Sequence, residues 1–161
     1  MNRFFINFFI AEYARDNIAQ EFQNRISINK ALFSSKDEAI VQSLKETYNV
    51  IENNILQVAQ QAYKIGFYQT SKVGACALTV FVHDNKVYVA NAGDCKGIIL
   101  RMQKDKTFQS IKINHKLNAN SKKEQKRLKA QFPDENDIYV CKRVKFILFS
   151  FSILILLQIL K

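Results

Sequence analysis

The amino-acid sequence predicts an α+β domain in which an antiparallel meander packs on two long helices. Apolar residues recur every three or four positions in the first 66 residues, and short β-rich segments separated by turn residues follow up to residue 113. The 161 residues are 48% hydrophobic and 24% charged, so there is enough apolar material for one core. With 4 Gly and 1 Pro, the composition disfavours a sandwich with many tight turns.

Two helices are predicted in the first part of the chain. The first covers about residues 8–26, where one face carries Ala11, Ala14, Ile18, Phe22 and Ile26. The second begins at a predicted capping box, in which the Ser35 oxygen accepts a backbone amide while Glu38 reaches back. Its apolar stripe consists of Ile40, Leu44, Tyr48, Ile51, Ile55, Val58 or Ala59, and Ala62. Gly66 can end this helix in a left-handed conformation.

Four strands and a third helix follow. The strands are predicted at residues 75–82, 87–90, 96–101 and 108–113. The first is nearly continuous in apolar character and is interpreted as a buried strand, which forms a hairpin with the second. The third helix runs from Ser121, in a second capping box with Glu124, to residue 131, and Pro133 stops it.

The net charge of +10 arises from 24 Lys and Arg against 14 Asp and Glu, and it raises the question of an anionic partner. The densest basic run lies in the third helix, where Lys122, Lys126 and Lys129 share one face. This run is interpreted as a solvated face, with a phosphate-binding face as the alternative. Because no nucleic-acid motif with interleaved aromatic residues accompanies it, no nucleic-acid partner is expected. Three Cys without C-x-x-C spacing disfavour a zinc site and a secreted disulfide scaffold, so the chain is expected to be intracellular.

The chain is apolar at both ends. The N-terminal apolar run is short and is interrupted by Asn7, which disfavours a secretory signal. Residues 146–160 carry no charge, but a helix of that length would span about 22 Å, short of the ~30 Å hydrocarbon core. Three interpretations of the tail, residues 146–161, stay open: a membrane segment, a core strand separated from its partners, and an aberrant chain end.

Candidate chemistry centres on Asn91-Ala-Gly-Asp94, where a strand ends in a turn that presents a carboxylate. Such an Asp can hold Mg²⁺ or Mn²⁺ through oxygen ligands, although a simple turn has the same pattern. His115 is a candidate acid or base, or a loop residue. Cys76 is interpreted as a small hydrophobe within its strand. Cys95 would need a paired base to act as a nucleophile, and none is evident in the sequence.

The chain carries two strand signatures with a short turn between them, Gly74-Ala-Cys-Ala-Leu-Thr-Val and Val87-Tyr-Val-Ala-Asn-Ala-Gly-Asp94. In sequence and in order they resemble the metal-dependent type 2C protein serine/threonine phosphatase family. Ala11-Glu-Tyr-Ala-Arg-Asp-Asn17 is similar to the helix that follows the family's Asp-Gly-His-Gly-Gly motif. Asn114-His-Lys-Leu-Asn, with Glu124 and Arg127, is similar to the family's Asp-His-Lys-x-Asn-x-x-x-Glu-x-x-Arg segment. The resemblance covers about residues 10–144.

The resemblance implies two stacked antiparallel sheets flanked by helices, so we expect residues 1–145 to form a partial α-β-β-α layered domain. It implies hydrolysis of phosphoserine and phosphothreonine in proteins, with two Mg²⁺ or Mn²⁺ ions sharing a bridging water. Asp94 matches a family Asp that can ligate an additional, weaker metal ion. It is the one metal residue carried over, and no catalytic residue is assigned.

The sequence departs from the family where the bimetal centre is built. The Asp-Gly-His-Gly-Gly motif and the later Asp-Gly and Asp-Asn motifs are missing, and Cys95-Lys96 replaces the family residues after the signature Asp. We therefore expect a truncated phosphatase domain that is inactive alone and does not necessarily bind Mg²⁺ or Mn²⁺. The alternative is a phosphatase-derived pseudoenzyme or binding module, anchored in a membrane through residues 146–160.

Overall fold

The computed structural model describes residues 3–69, 74–134 and 154–159, which form three helices and five strands. In chain order the elements are α1 (Arg3–Leu32), α2 (Lys36–Lys64), β1 (Ala77–His83), β2 (Lys86–Ala92), β3 (Ile98–Met102), β4 (Phe108–Lys112), α3 (Lys122–Gln131) and β5 (Leu154–Ile159). One sheet has the order β1-β2-β5, and β3 and β4 form a second sheet. The α+β class is confirmed.

Helices α1 and α2 form an antiparallel hairpin. Near one end, Asn54 Nδ2 donates to the Tyr13 hydroxyl at 3.0 Å, and near the other Asn29 Nδ2 donates to Ser43 Oγ at 3.0 Å. Asn29 and Ser43 are both buried, and their mutual hydrogen bond satisfies groups that would otherwise be costly to bury. Helix α1 therefore continues past residue 26, the predicted end, because a polar pair extends its buried face.

The predicted core faces are largely right. Ala14 and Phe22 are buried on α1, but Ala11 is exposed and the buried residue at that end is Ile10. The predicted stripe on α2 is buried through its first half, at Ile40, Leu44, Tyr48 and Ile51, and then becomes partly buried, with Val58 exposed.

At the helix ends, the predicted capping boxes are wrong and the predicted left-handed Gly66 is confirmed. Ser35 and Ser121 are the N-cap residues of α2 and α3, but neither side chain makes a capping hydrogen bond, so both predicted capping boxes are wrong. Glu124 instead pairs with Arg127, whose Nε donates to Glu124 Oε2 at 3.0 Å. Gly66 follows α2 with φ +92°, as predicted. The amides of Gly66 and the next residue bond back to two carbonyls of the last turn, which is the Schellman arrangement.

The β1–β2 hairpin has the predicted pairing and turn. The strands pair antiparallel from Ala77 opposite Ala92 to His83 opposite Lys86. Asp84 and Asn85 both have positive φ, 48° and 59°, which is the backbone of a two-residue type I′ turn. The prediction that β1 is the buried strand is wrong: β2 is buried along almost its whole length, whereas Val80 and Val82 of β1 are 47% and 65% exposed. Strand β1 lies at the edge of its sheet, and β2 lies between β1 and β5.

Alternate residues of β2 face two cores. Tyr88, Ala90 and Ala92 pack with Phe22, Ile40, Leu44 and Tyr48 in a core between the sheet and the helices. Val87 and Val89 pack with Ile113, Leu78 and Ile99 in a second core on the side of β3 and β4. The chain thus stacks a helix layer, a three-stranded sheet and a two-stranded sheet.

Tyr48 links α2 to the hairpin. Its hydroxyl donates to the Ala90 carbonyl at 3.1 Å and lies 3.0 Å from Thr79 Oγ1. Burial raises the pKa of Tyr48 to about 12, so the phenol stays protonated and can donate. This contact fixes the position of the hairpin on the helices.

A second polar link joins the start of α2 to β2. The Tyr88 hydroxyl donates to Asp37 Oδ1 at 2.6 Å, and Lys86 Nζ donates to Asp37 Oδ2. We call this group of three residues the Asp37 clamp. The hydrogen bond from Lys86, and to a smaller extent the one from Tyr88, holds the pKa of Asp37 below its ordinary value. The clamp therefore binds an ionised carboxylate at neutral pH.

The four strands of the predicted meander belong to two sheets. The chain leaves the first sheet after Ala92 and enters the second at Ile98, so β3 pairs only with β4 among the described residues. On the outer face of this two-stranded sheet, Ile98, Leu100, Met102 and Phe108 are 51% to 67% exposed. That face of the two-stranded sheet is therefore lined by exposed apolar side chains.

Part of the apolar tail lies in the first sheet. Leu154–Ile159 forms β5 and pairs antiparallel with β2, with Leu154 opposite Asn91 and Ile159 opposite Lys86. The predicted boundary at residue 145 lies outside the described residues and stays a prediction. Among the helices that the structure describes, none combines the length and apolar character that a bilayer crossing requires.

Candidate functional site

The candidate site is the loop in which the chain passes from β2 to β3. Asn91 and Ala92 are the last residues of β2, Gly93 turns the backbone with φ +88°, and Asp94 follows with its side chain 44% exposed. A Cβ on Gly93 would lie 2.4 Å from Cys76 Sγ, so only glycine fits both the backbone angle and the space. The predicted signature thus places the Asp94 carboxylate at the surface directly after a buried strand.

A second segment, residues 113–118, is hydrogen-bonded to this loop. Asn91 Nδ2 donates to the His115 carbonyl at 3.1 Å, and the Leu117 amide donates to the Gly93 carbonyl at 3.0 Å. Asn114 accepts from the Gly97 amide at 2.7 Å and donates to the Cys95 carbonyl at 2.8 Å. Because these bonds hold the backbone on both sides of residue 116, the position of that residue relative to the loop is well defined.

Lys116 and Asn118 surround the Asp94 carboxylate. Lys116 Nζ lies 3.2 Å from Asp94 Oδ1, with the two side chains 53% and 44% exposed. A hydrogen bond from Asn118 and then the Lys116 ammonium hold the pKa of Asp94 below its ordinary value. The carboxylate is therefore ionised at neutral pH, and the Lys116 ammonium is its counter-ion.

Two cysteines lie near the loop, and the structure corrects the interpretation of one of them, Cys76. Cys76 is exposed and precedes β1, so it is not a small hydrophobe in a strand core. Its Sγ accepts from the Asp94 amide at 3.3 Å. Burial, and then the neighbouring Cys76 and Asp94, raise the pKa of the Cys95 thiol, which lowers its thiolate fraction and its nucleophilicity at neutral pH.

The other candidates lie in different surroundings. His115 is exposed, and its part in the site is structural, because its carbonyl accepts from Asn91. Lys122, Lys126 and Lys129 are all exposed on α3, in keeping with a solvated face.

The bimetal centre that the resemblance implies would need more ligands than the Asp94 loop supplies. A two-ion centre needs several carboxylates converging on the ions. Within residues 9–69 and 74–134, no group of three or more His, Cys, Asp and Glu side chains could hold a metal ion. One further oxygen, Oδ1 of the buried Asn91, lacks a hydrogen-bond partner in that part of the chain, but a lone amide oxygen and one carboxylate do not make a cage. The described residues do not fit a bimetal centre.

Sequence reasoning identified Asp94 but missed its surroundings. The contacts that organise the loop are long-range. Asn91 bonds to the His115 carbonyl 24 positions later, and Asn114 bonds to Gly97 and Cys95, 17 and 19 positions before it. Lys116 lies against Asp94. Asn114-His-Lys-Leu-Asn was identified from the sequence as similar to a family segment, but nothing in the local pattern indicates that this segment lies against Asp94.

Comparisons with known proteins place the sequence of this chain, including the loop, in one family. The profile of the family described as Protein phosphatase 2C matches residues 7–149. Over 102 residues the chain is 30% identical to an Arabidopsis thaliana protein named "Probable protein phosphatase 2C 64", covering 62% of this chain and 25% of the relative. It is 27% identical over 123 residues to "Probable protein phosphatase 2C 38" of the same plant, covering 71% of this chain and 32% of the relative.

A third relative, from Oryza sativa subsp. japonica, is named "Probable protein phosphatase 2C 78" and is 26% identical over 102 residues, which cover 63% of this chain and 26% of the relative. The chain thus spans between a quarter and a third of the length of these curated relatives. The profile match covers most of the chain, including both strand signatures and the Asp94 loop. The chain belongs to the protein phosphatase 2C family.

Proposed function

We propose that this chain is part of a metal-dependent protein serine/threonine phosphatase that hydrolyses phosphoserine and phosphothreonine in proteins. Family membership supports the reaction class, since the matched profile covers residues 7–149. The Mg²⁺ or Mn²⁺ ions of such an enzyme would supply an activated water and neutralise phosphate charge. Because the described residues do not fit a bimetal centre, we assign no step of the reaction to them.

The observation that carries the proposal is the Asp94 loop. Strands β1 and β2 pair in register, β2 ends at a left-handed Gly93, and the loop presents an ionised, half-exposed carboxylate. In the proposed enzyme, Asp94 would contribute one oxygen ligand to a metal ion. Hydrogen bonds from Asn91, Asn114 and the Leu117 amide hold the loop and the segment beside it together, and carboxylates beyond the described residues would complete the centre.

A chimera tests this proposal directly. The aligned segment of an active type 2C phosphatase is replaced by residues 9–134 of this chain, and turnover of p-nitrophenyl phosphate and of a phosphothreonine peptide is measured with Mn²⁺. We expect Mn²⁺-dependent turnover that Asp94→Asn lowers. Asp105→Asn is the matched control, because Asp105 is an exposed carboxylate that hydrogen-bonds to Thr107 in the turn between β3 and β4. A chimera that folds but shows no turnover contradicts the proposal.

The chain alone is expected to be inactive, because one carboxylate cannot position two ions. The isolated polypeptide should not hydrolyse either substrate in Mn²⁺, and turnover that disappears in Asp94→Asn would overturn this expectation. Inactivity alone does not separate a fragment from a pseudoenzyme. The chimera does, since a pseudoenzyme segment would not support turnover in an otherwise complete domain.

A further inference from the structure

Cys76 and Cys95 are 19 positions apart in the sequence, but the fold brings them to the same loop. Cys76 precedes β1, and its Sγ accepts a hydrogen bond from the Asp94 amide at 3.3 Å. A Cβ on Gly93 would lie 3.1 Å from Cys76 Cβ and 3.4 Å from Cys76 Cα, so the two backbones also pass each other closely. The Cys76 side chain therefore packs on the backbone of residues 93 and 94, directly before Cys95.

This packing places the two thiols close together. One residue advances the chain by at most about 3.6 Å, so the Cys95 nitrogen lies within about 7 Å of Cys76 Sγ. Disulfides join residues whose Cα atoms are about 4.4–6.8 Å apart, which is a separation of the same size. The thiols also interact electrostatically, since after burial Cys76 is the next cause of the raised pKa of Cys95.

The two thiols differ in exposure. Both cysteines are free, but Cys76 is exposed and Cys95 is half-buried, so an oxidant in solution reaches Cys76 first. We propose that Cys76 and Cys95 form a redox modification site, which a peroxide converts into a disulfide that joins the residue before β1 to the Asp94 loop. This site requires neither a metal ion nor phosphatase activity.

The oxidation takes two steps. The Cys76 sulfur attacks one oxygen of hydrogen peroxide, the O–O bond breaks, and the departing hydroxide takes the thiol proton to form water, which leaves Cys76 as a sulfenic acid. The Cys95 sulfur then attacks the sulfenic sulfur, the S–S bond forms, the S–O bond breaks, and the hydroxyl group leaves with the Cys95 proton as a second water. Two thiols thus lose two electrons, and one peroxide is reduced to two waters.

Peptide mapping of the full chain tests for this bond. Trypsin places each cysteine on its own peptide, residues 73–86, 87–96 and 130–142. The reduced chain is treated with hydrogen peroxide at low protein concentration, the remaining thiols are blocked with iodoacetamide, and linked peptides are quantified by mass spectrometry. We expect peptide 73–86 linked to peptide 87–96 as the main product, and dithiothreitol should release both.

The same oxidation in concentrated urea is the matched control, because short sequence separation alone also favours this pair. In an unfolded chain, loop-closure entropy favours the Cys76–Cys95 pair over the Cys95–Cys141 pair by about fourfold. In the folded chain the ratio of these two products should be several times higher than in urea, since the fold holds the first pair together.

Two variants identify the thiols that react. Cys141→Ser should keep the linked pair, and Cys95→Ser should leave Cys76 as a sulfenic acid that dimedone traps. Far-UV circular dichroism checks that each variant is folded, and the product ratio of the unsubstituted chain decides the matter if a variant is not.

Four results would overturn the proposal: a product ratio in the folded chain no higher than in urea, Cys95–Cys141 as the main product, links between chains in place of the internal bond, or oxidation of Cys76 to a sulfinic acid without any link. None of these outcomes depends on phosphatase turnover, so failure here is distinguishable from failure of the chimera.

Discussion

Replacing Gly93 with alanine tests how tightly the Asp94 loop is packed. Gly93 and Gly66 have nearly the same φ, +88° and +92°, but a Cβ on Gly93 meets Cys76 Sγ at 2.4 Å, whereas a Cβ on Gly66 has nothing within 4 Å. Both alanine variants suffer the left-handed penalty of about 1–2 kcal/mol. Only Gly93→Ala adds overpacking, which costs about 1–3 kcal/mol. The free energy of unfolding should thus fall further in Gly93→Ala than in Gly66→Ala by that second amount.

The assay is urea unfolding followed by far-UV circular dichroism, with the slope compared between variants to confirm that the same surface is exposed. Cys76→Ala in the Gly93→Ala background should recover most of the difference, since it removes the sulfur and leaves Cys76 Cβ, at 3.1 Å, as the remaining close atom. Equal losses at the two glycines, or no recovery in the double variant, would refute the view that Cys76 and Gly93 are packed against each other.

Three further predictions concern the core and pH. Leu44→Ala, at a fully buried position, should lower the free energy of unfolding by about 2–5 kcal/mol, whereas Leu100→Ala, at a 60% exposed position, should change it by less than ~0.5 kcal/mol, both measured by urea unfolding. Burial raises the pKa of Glu52 to about 7 from 4.5, so stability should fall as the pH rises between those values, and Glu52→Gln should remove this fall in melting temperature. The lowered pKa of Asp37 has the opposite sign: stability from the Asp37 clamp is present above the unfolded-state pKa and lost in acid, and Asp37→Asn should flatten the acid side of the profile.

The sequence was sufficient where local pattern decides structure. The stripe on α2, the left-handed end at Gly66 and the hairpin before Asp94 all follow from spacing or backbone preference, and all are present. The capping box at α3 was predicted wrongly because the Glu124 side chain has a competing hydrogen-bond partner. Glu124 could reach back to Ser121, but Arg127, three residues on along the helix, offers a charged partner instead.

Long-range contacts account for most of the rest. Nothing in the local pattern shows that Asn29 would be buried against Ser43, so the end of α1 was predicted too early. The change of sheet after β2 depends on the bonds that Asn91 and Asn114 make across more than fifteen residues. The same bonds bring Lys116 to Asp94, which explains why the carboxylate was predicted and its counter-ion was not.

The pairing of β2 on both sides bears on the order of folding. Its first neighbour, β1, is separated from it by a two-residue turn and can form early, as can the α1–α2 hairpin. Its second neighbour, β5, joins Ile159 to Lys86, so this contact closes a very long loop and should form last. During synthesis the growing chain would therefore hold β2 with one open edge until Leu154–Ile159 has left the ribosome. Until then the open edge of β2 can pair with a strand of another chain.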